Sequence, residues 1–141
     1  MGLADLHIHT VHSHDGTCSV AAVLKYASEY TNLSVVAITD HNSIRGNAEA
    51  MQLAPMYGLE VIPGCEISTA DGHLLALFIK ELIPARLSLF ETIERVGEQG
   101  GICVAPHPSA RGTSAPSFEV IAQAIADTDL RKVLVGIEAF N

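Results

Sequence analysis

Residues 3 to 9 read Leu-Ala-Asp-Leu-His-Ile-His, which alternates apolar and polar side chains from Asp5 onward. Leu6 and Ile8 share one face of a predicted strand, because side chains in a strand repeat every two residues. The opposite face carries Asp5, His7 and His9. Two imidazoles placed in this way lie about 6.5 to 7 Å apart, close enough to bind one metal ion. This stretch therefore predicts a strand that contributes to a metal site.

The rest of the chain alternates short apolar runs with amphipathic stretches, a pattern typical of β-α units around a parallel sheet. Further strands are predicted over 34–38, 59–62, 67–69, 73–79, 102–105 and 133–139, and helices over about 20–30, 43–54, 88–98 and 117–126. Ser19 and Ser43 are the predicted caps of the first two helices. Asp71-Gly72 predicts a hairpin turn. The sequence thus predicts an α/β domain of about six strands and four helices.

Polar residues stand at the carboxyl ends of the predicted parallel strands, where α/β sheets and barrels hold their functional sites. They are His7, His9, Asp40, His41, Glu66 and His107, and His73 joins them if the return strand of the hairpin lines the same mouth. Glu66 could bridge two cations, or it could be a surface residue of a turn after Pro63-Gly64. A solvated surface position is likewise the alternative for each of the histidines.

Asp40 and His107 carry more specific expectations. A buried carboxylate without a partner costs several kcal/mol, so Asp40 is predicted either to hold the second nitrogen of a ligand histidine or to cap the helix at Ser43. Pro106 and Pro108 predict an extended backbone at His107. Arg111 could hold an anionic oxygen, or be an exposed loop residue. Ser13 is expected to be exposed and is not assigned a nucleophilic role.

Composition narrows the class of protein. The 8 Lys and Arg against 16 Asp and Glu give a formal charge of −8, which argues against a large basic face for nucleic acid. No apolar run reaches the roughly 18 residues of a membrane span. Three cysteines without a CxxC pair predict reduced thiols, with Cys65 and Cys103 in the core. We expect a soluble, cytoplasmic protein, too short at 141 residues for an eight-stranded barrel of about 250.

Five motifs together resemble the PHP family, named for polymerase and histidinol phosphatase. In chain order they are Asp5-Leu-His7-Ile-His9-Thr10 followed by Ser13-x-Asp15-Gly16, then Thr39-Asp40-His41-Asn42, Pro63-Gly64-x-Glu66-Ile-Ser-Thr69, Gly72-His73, and Ala105-Pro106-His107-Pro108. Each motif is weak alone. The resemblance covers essentially the whole chain and implies a distorted seven-stranded, TIM-like β/α barrel that binds two or three divalent cations.

The resemblance also implies a ligand set. His7, His9 and Glu66 correspond to ligands of a first ion, and Glu66, His73 and His107 to ligands of a second, with Glu66 bridging. Asp15 and His41 correspond to a third site, where the family also places its acid one residue earlier, at the position of His14. Zn²⁺, Mn²⁺ and Fe all suit such ligands. Asp40, His41 and Arg111 are expected as auxiliary residues around a metal-activated water.

The family's barrel continues past Asn141 to a Gly-Ser-Asp-x-His motif. We therefore expect residues 1–141 to form one PHP domain that lacks the last strand, with about six strands and with the first and third ion sites each short of one ligand.

The expected function is metal-dependent hydrolysis of a small phosphomonoester or nucleotide. A polynucleotide substrate is less favoured because the chain has no basic face, and no membrane partner is expected. The alternatives are a non-catalytic metal-binding or structural PHP module, an inactive fragment of a larger phosphoesterase, and, least favoured, amide hydrolysis. The sequence leaves open whether the chain forms a homo-oligomer or is fused to another domain.

Overall fold

A computed structural model describes residues 2–108 and 114–139 of the chain. Six strands form one sheet in the order β1 to β6: β1 Leu3–Ile8, β2 Leu33–Ile38, β3 Glu60–Thr69, β4 Gly72–Leu77, β5 Ile102–Ala105 and β6 Leu134–Ile137. Five α-helices are described: α1 Val20–Tyr30, α2 Arg45–Leu53, α3 Leu89–Glu98, α4 Phe118–Ala126 and α5 Leu130–Val133, with a 3₁₀ turn at Ala54–Tyr57. The sheet curls into a half-barrel, which confirms the predicted α/β class.

Five of the six strands run in the same direction. β1, β2 and β3 are parallel neighbours, and so are β5 and β6. Only β4 is antiparallel to both of its neighbours, β3 and β5. The predicted hairpin at Asp71-Gly72 is therefore confirmed, and it brings the start of β4 to the carboxyl ends of the other strands.

The helices α1, α3 and α4 begin where hydroxyl side chains can bind their free backbone N–H groups. Ser19 Oγ accepts from Ala22 at 3.2 Å, and Ser117 Oγ accepts from Val120 at 3.2 Å. Ser88 and Glu91 form a capping box at α3. The prediction of Ser43 as the cap of α2 was wrong. The helix begins at Arg45, so Ile44 occupies the cap position, and its side chain makes no cap hydrogen bond.

β3 is longer than the sequence indicated. The two strands predicted over 59–62 and 67–69 form one continuous strand that changes its partner at Pro63-Gly64, so the alternative of Glu66 as a surface residue of a turn does not hold. Pro63 pairs with Ile38 of β2, whereas Gly64 pairs with Leu77 of β4. A Cβ on Gly64 would lie 2.9 Å from the carbonyl oxygen of Ala76, so only glycine fits this junction without a shift. The continuous strand carries Glu66 into the interior.

Two apolar clusters attach the helices to the sheet. One joins α1 and α2 to the first strands through residues such as Leu24, Val36 and Ile38. The other joins α3 and α4 to β3, β4 and β5, with Ile93 and Leu74 among its fully buried members. Ile8 packs against the first cluster. The alternation of β1 therefore directs His7 and His9 to the opposite face, away from the helices.

The three cysteines are free, as predicted, and Cys65 and Cys103 are buried while Cys18 is exposed. Burial raises the pKa of the Cys65 thiol to about 12. Among residues 2–108 and 114–139, no helix is both long enough and apolar enough to cross a bilayer.

The second cluster predicts a stability difference between two isoleucines. Ile93→Ala should lower the free energy of unfolding by about 2 to 5 kcal/mol, because it leaves a cavity under α3. Ile125→Ala on α4, where the side chain is 43% exposed, is the matched control and should change it by less than about 1 kcal/mol. Urea denaturation of both variants measures the difference. Equal losses would contradict the packing described.

Candidate metal centre

The buried side chain of Glu66 is the centre of the site, with a relative exposure of 1%. Five imidazoles surround its two carboxylate oxygens. Around Oε2 lie His7 Nε2 at 3.0 Å, His9 Nε2 at 2.8 Å and His41 Nε2 at 3.4 Å. Around Oε1 lie His73 Nδ1 at 2.8 Å and His107 Nε2 at 2.9 Å. We call these six residues, together with Asp15, the histidine–carboxylate cluster.

Each strand end contributes to this cluster through the topology of the sheet. β1 supplies His7 and leads into His9, and β5 leads into His107. Just beyond the end of β2, His41 forms an isolated parallel bridge with Glu66. The Glu66 N–H also points to the carbonyl oxygens of Thr39 and Asp40, each at 3.2 Å. These backbone contacts fix the depth of the carboxylate in the mouth of the half-barrel.

Asp40 is completely buried, and its partners differ from both expectations. Its carboxylate accepts the backbone N–H and the hydroxyl of Thr10, rather than a proton from an imidazole or from the start of α2. Because Thr10 follows His9 directly, Asp40 holds the segment that carries a cluster residue. Its influence on the cluster is therefore exerted through the backbone.

The loop after β1 adds Asp15 to the cluster. Both Asp15 oxygens lie 3.0 Å from His9 Nδ1, and Oδ2 lies 3.4 Å from His41 Nε2. Ser13 donates to Asp15 at 2.6 Å and accepts the backbone N–H of His41 at 3.1 Å. Ser13 is buried, so the expectation that it is exposed was wrong. His14 is exposed and lies beside His41, with ring centroids 4.8 Å apart.

The ring of His9 shows why the cluster suits cations. Its Nε2 is 2.8 Å from Glu66 Oε2 but lacks the alignment of a hydrogen bond to any described residue. If Nδ1 donates its proton to Asp15, the Nε2 lone pair of a neutral ring faces a carboxylate oxygen. A proton or a cation must relieve that repulsion. Two ligands of one tetrahedral zinc ion lie about 3.3 to 3.4 Å apart, so the 3.0 and 2.8 Å separations of His7 and His9 from Glu66 Oε2 would have to widen by a few tenths of an ångström to hold one.

Three overlapping groups bring their ligand atoms within 4.8 Å of one another. They are His7, His9 and Glu66; His9, Asp15 and His41; and His41, Glu66 and His73. The first group matches the first ion site implied by sequence. In the third, His41 joins His73 and Glu66, whereas the sequence assigned His41 to the site of Asp15. His41 lies between the two positions.

The charges of the cluster shift its pKa values in opposite directions. Burial lowers the pKa of His7, but Glu66 and Glu138 outweigh burial and raise it above 6.5. The nearby Glu66 carboxylate likewise raises the pKa of His9. Burial lowers the pKa of His41 below 6.5 despite the charge of Glu66. The site thus holds protons tightly at His7 and His9 and weakly at His41.

The carboxylates shift downwards. Burial alone would raise the pKa of Glu66, but hydrogen bonds from His7 and the other histidines hold it far below its usual range. For Asp15, burial alone would raise the pKa, but the Ser13 hydroxyl and His9 together outweigh it and lower the pKa to about 2. Both carboxylates are therefore ionised at neutral pH.

His107 and Glu138 were incompletely described by sequence. His107 has φ 30°, so the extended backbone predicted from its two flanking prolines was wrong. Its N–H donates to Glu138 at 2.8 Å, and Glu138 also contacts His7 Nδ1 at 3.1 Å. No motif singled out Glu138, although its place directly after a strand was a usable signal. Arg111 lies outside the described residues, as does Asn141.

The cluster lines a cleft of about 330 Å³ that is open to solvent. Ser114 completes its wall, and the Ser114 carbonyl accepts the backbone N–H of His73 at 2.8 Å. The arrangement can bind divalent cations on the floor of the cleft and leaves room above them for a small anion.

The half-barrel has counterparts among solved structures. A Bifidobacterium adolescentis protein assigned to the metal-dependent phosphoesterases superposes with a TM-score of 0.76 at 23% identity, covering 96% of this chain and 76% of that one. The family model of the PHP domain matches residues 5–136. The chain belongs to the PHP family, as its motifs indicated.

Two relatives by sequence differ in how much is known of them. An uncharacterized protein of Methanocaldococcus jannaschii is 41% identical over 98% of this chain and 81% of its own length. The phosphoribosyl 1,2-cyclic phosphate 1,2-diphosphodiesterase of Eggerthella lenta is 32% identical over 66% of this chain and 37% of its own length. The chain therefore spans just over a third of the length of the Eggerthella lenta enzyme.

The raised pKa values predict an unusual pH dependence for the metal-free protein. Stabilisation from His7 and His9 is complete below pH 6.5 and is lost as pH rises through their folded pKa values. Glu66 stabilises the folded state above pH 4.5, and this stabilisation is lost as the pH falls towards its lowered pKa. His41, whose pKa is lowered, acts in the opposite direction to His7 and His9, because its contribution to stability increases as the pH rises towards 6.5. We expect the melting temperature in chelator to fall as the pH rises above about 6.5.

Glu66→Gln is the control for this profile, because it removes the charge that raises both histidine pKa values. In that variant the fall should flatten. A melting temperature that rises over the same range in wild type would contradict the assignment. With excess Mn²⁺ the melting temperature should instead rise with pH, because protonation below about pH 6 displaces a metal from imidazole. A flat profile with metal from about pH 8 to 5.5 would exclude the histidines as ligands.

Proposed function

We propose that this chain is a metal-dependent phosphoesterase that hydrolyses a small phosphomonoester or nucleotide. The observation that carries the proposal is that each oxygen of one buried carboxylate contacts a different pair of imidazoles. Glu66 Oε2 faces His7 and His9, and Oε1 faces His73 and His107. A carboxylate with a separate nitrogen set on each oxygen is suited to bridge two ions.

In this proposal the contacts support the ligand set that the PHP resemblance implies. His7, His9 and Glu66 hold a first ion, and Glu66, His73 and His107 hold a second. Asp15 and His41 hold a third, with His41 close enough to Glu66 to exchange between positions. Imidazoles with carboxylate bridges suit Zn²⁺, Mn²⁺ or Fe. When bound, such cations activate water as a nucleophile and neutralise phosphoryl oxygens.

The side chains of the cluster have distinct tasks. The carboxylate of Glu66 supplies negative charge to both halves of the site, and its low pKa keeps that charge present at neutral pH. Asp40 fixes the segment of His9 through Thr10, and Ser13 holds Asp15 and the backbone of His41. These contacts reduce the reorganisation needed when substrate binds. Arg111 stays a proposed anion-binding auxiliary.

The shape and charge of the protein favour a small substrate. The cleft of about 330 Å³ accommodates a compact phosphate ester. The formal charge of −8 disfavours a polynucleotide, which needs many Lys and Arg contacts along its backbone. The related Eggerthella lenta enzyme, named for a cyclic phosphodiester of a sugar phosphate, supports phosphoester chemistry. The free thiols support a reducing, cytoplasmic location.

His9→Ala and Glu66→Gln test the proposal directly. Each should lower kcat/KM for a responsive phosphoester at least about 100-fold, because a catalytic cation contributes several kcal/mol to transition-state stabilisation. A panel of phosphomonoesters and nucleotides, assayed with and without Mn²⁺, supplies the measurement.

His12→Ala is the matched control, since this histidine of the same loop faces Glu49 at 3.8 Å rather than Glu66. It should retain near wild-type turnover. Wild-type protein that binds metal and cleaves no member of the panel would overturn the proposed activity.

Asp15→Asn and His14→Ala distinguish the two candidates for the third ion. Asp15→Asn should reduce the number of bound ions, because it removes a carboxylate 3.4 Å from His41 Nε2. His14→Ala should leave the number unchanged. Elemental analysis after equilibrium dialysis gives the stoichiometry, and the opposite pattern would assign the third site to His14.

A further inference from the structure

Glu138 lies directly after β6 and joins two parts of the cluster that come from distant strands. Its Oε1 is 3.1 Å from His7 Nδ1, and its Oε2 accepts the backbone N–H of His107 at 2.8 Å. Its own N–H donates to the carbonyl of Ala105 at 2.8 Å, which fixes the residue against the end of β5. The side chain is only 15% exposed. A carboxylate held in this way has little freedom to turn away.

The contact between Glu138 and His7 determines which nitrogen of the His7 ring can bind a metal ion. An ionised carboxylate only accepts hydrogen bonds, so the nitrogen that faces Glu138 must carry a proton. Glu66 likewise favours a proton on Nε2 of the metal-free ring, and a metal ion bound at Nε2 would replace that proton while Nδ1 keeps its own. Nε2 is the nitrogen that lies 3.0 Å from Glu66 Oε2. Carboxylates behind a ligand histidine commonly fix the tautomer and orientation of the ring in this way.

The contact with His107 determines its backbone. A φ of 30° is in the left-handed region that residues other than glycine rarely adopt. By accepting the His107 N–H, Glu138 holds the backbone in this conformation. The ring then reaches Glu66, with Nε2 at 2.9 Å from Oε1. One carboxylate therefore supports an imidazole on each side of Glu66.

We propose that Glu138 is a positioning residue for both halves of the metal centre. It fixes His7 as an Nε2 ligand of the first ion and fixes the backbone of His107, a ligand of the second. The inference rests on the proposed function only for the assignment of these two histidines as ligands. It requires no direct contact between Glu138 and an ion.

Glu138→Gln and Glu138→Ala test this role by metal affinity. A Gln carbonyl can replace one of the two accepted hydrogen bonds, and its amide cannot accept the other. Zn²⁺ and Mn²⁺ affinity, measured by competition with a chromophoric chelator, should fall about 10- to 100-fold in the Gln variant and further in the Ala variant. Glu94→Gln, at an exposed position of α3, is the matched control and should bind both ions as wild type does.

The ring of His7 gives a second readout that a purely structural role would not change. In the zinc-loaded wild type, long-range nitrogen–proton NMR should show His7 protonated at Nδ1 and not at Nε2. The Glu138→Gln spectrum should lose this pattern or broaden, while the melting temperature of the metal-free variant confirms folding.

The outcomes separate the two proposals. Equal Zn²⁺ affinity for Glu138→Gln and Glu94→Gln would overturn the positioning role, and so would protonation of His7 at Nε2 in the zinc-loaded wild type. Wild type with the expected tautomer and variant affinities, but no phosphoesterase activity, would overturn only the proposed function. Wild type that binds neither ion would overturn both.

Discussion

One buried carboxylate determines the organisation of the site. Glu66 places a negative charge among five imidazoles, at a depth where an unpaired ion would be unstable. The surrounding histidines offset its desolvation, and it raises the proton affinity of His7 and His9 in return. Because such a group needs partners on every side, the elements that carry them must converge.

That convergence depends on the long β3 strand. At Pro63-Gly64 the strand leaves β2 and pairs with β4, so Glu66 lies between the end of β2 and the antiparallel hairpin. The reversed direction of β4 then returns His73 to the same edge as His7 and His107. If β4 were parallel to its neighbours, its start, which carries His73, would lie at the opposite edge of the sheet. The single reversed strand thus completes the cluster.

Sequence reasoning identified the elements and the cluster residues because both leave local signals. Hydrophobic periodicity located α1, α3 and α4, Ser19 was correctly predicted as the cap of α1, and Asp71-Gly72 located the hairpin. It failed where the determining contact is distant in the chain. The Pro63-Gly64 pair is usual in turns, yet here the partners in β2 and β4 keep it in a strand. The predictions for the backbone of His107 and for the partners of Asp40 were wrong for the same reason, because both depend on residues that are distant in the chain.

The sequence by itself determined the family, the order of the elements and the set of histidines and carboxylates, because these are properties of motifs and of periodicity. Only the tertiary structure decided which nitrogen of each ring faces Glu66, that Ser13 and Asp40 support the loop after β1, and that Glu138 contacts both His7 and His107. These contacts join residues up to 131 positions apart. No local pattern encodes such a distance, since it is set by the curvature and pairing of the whole sheet.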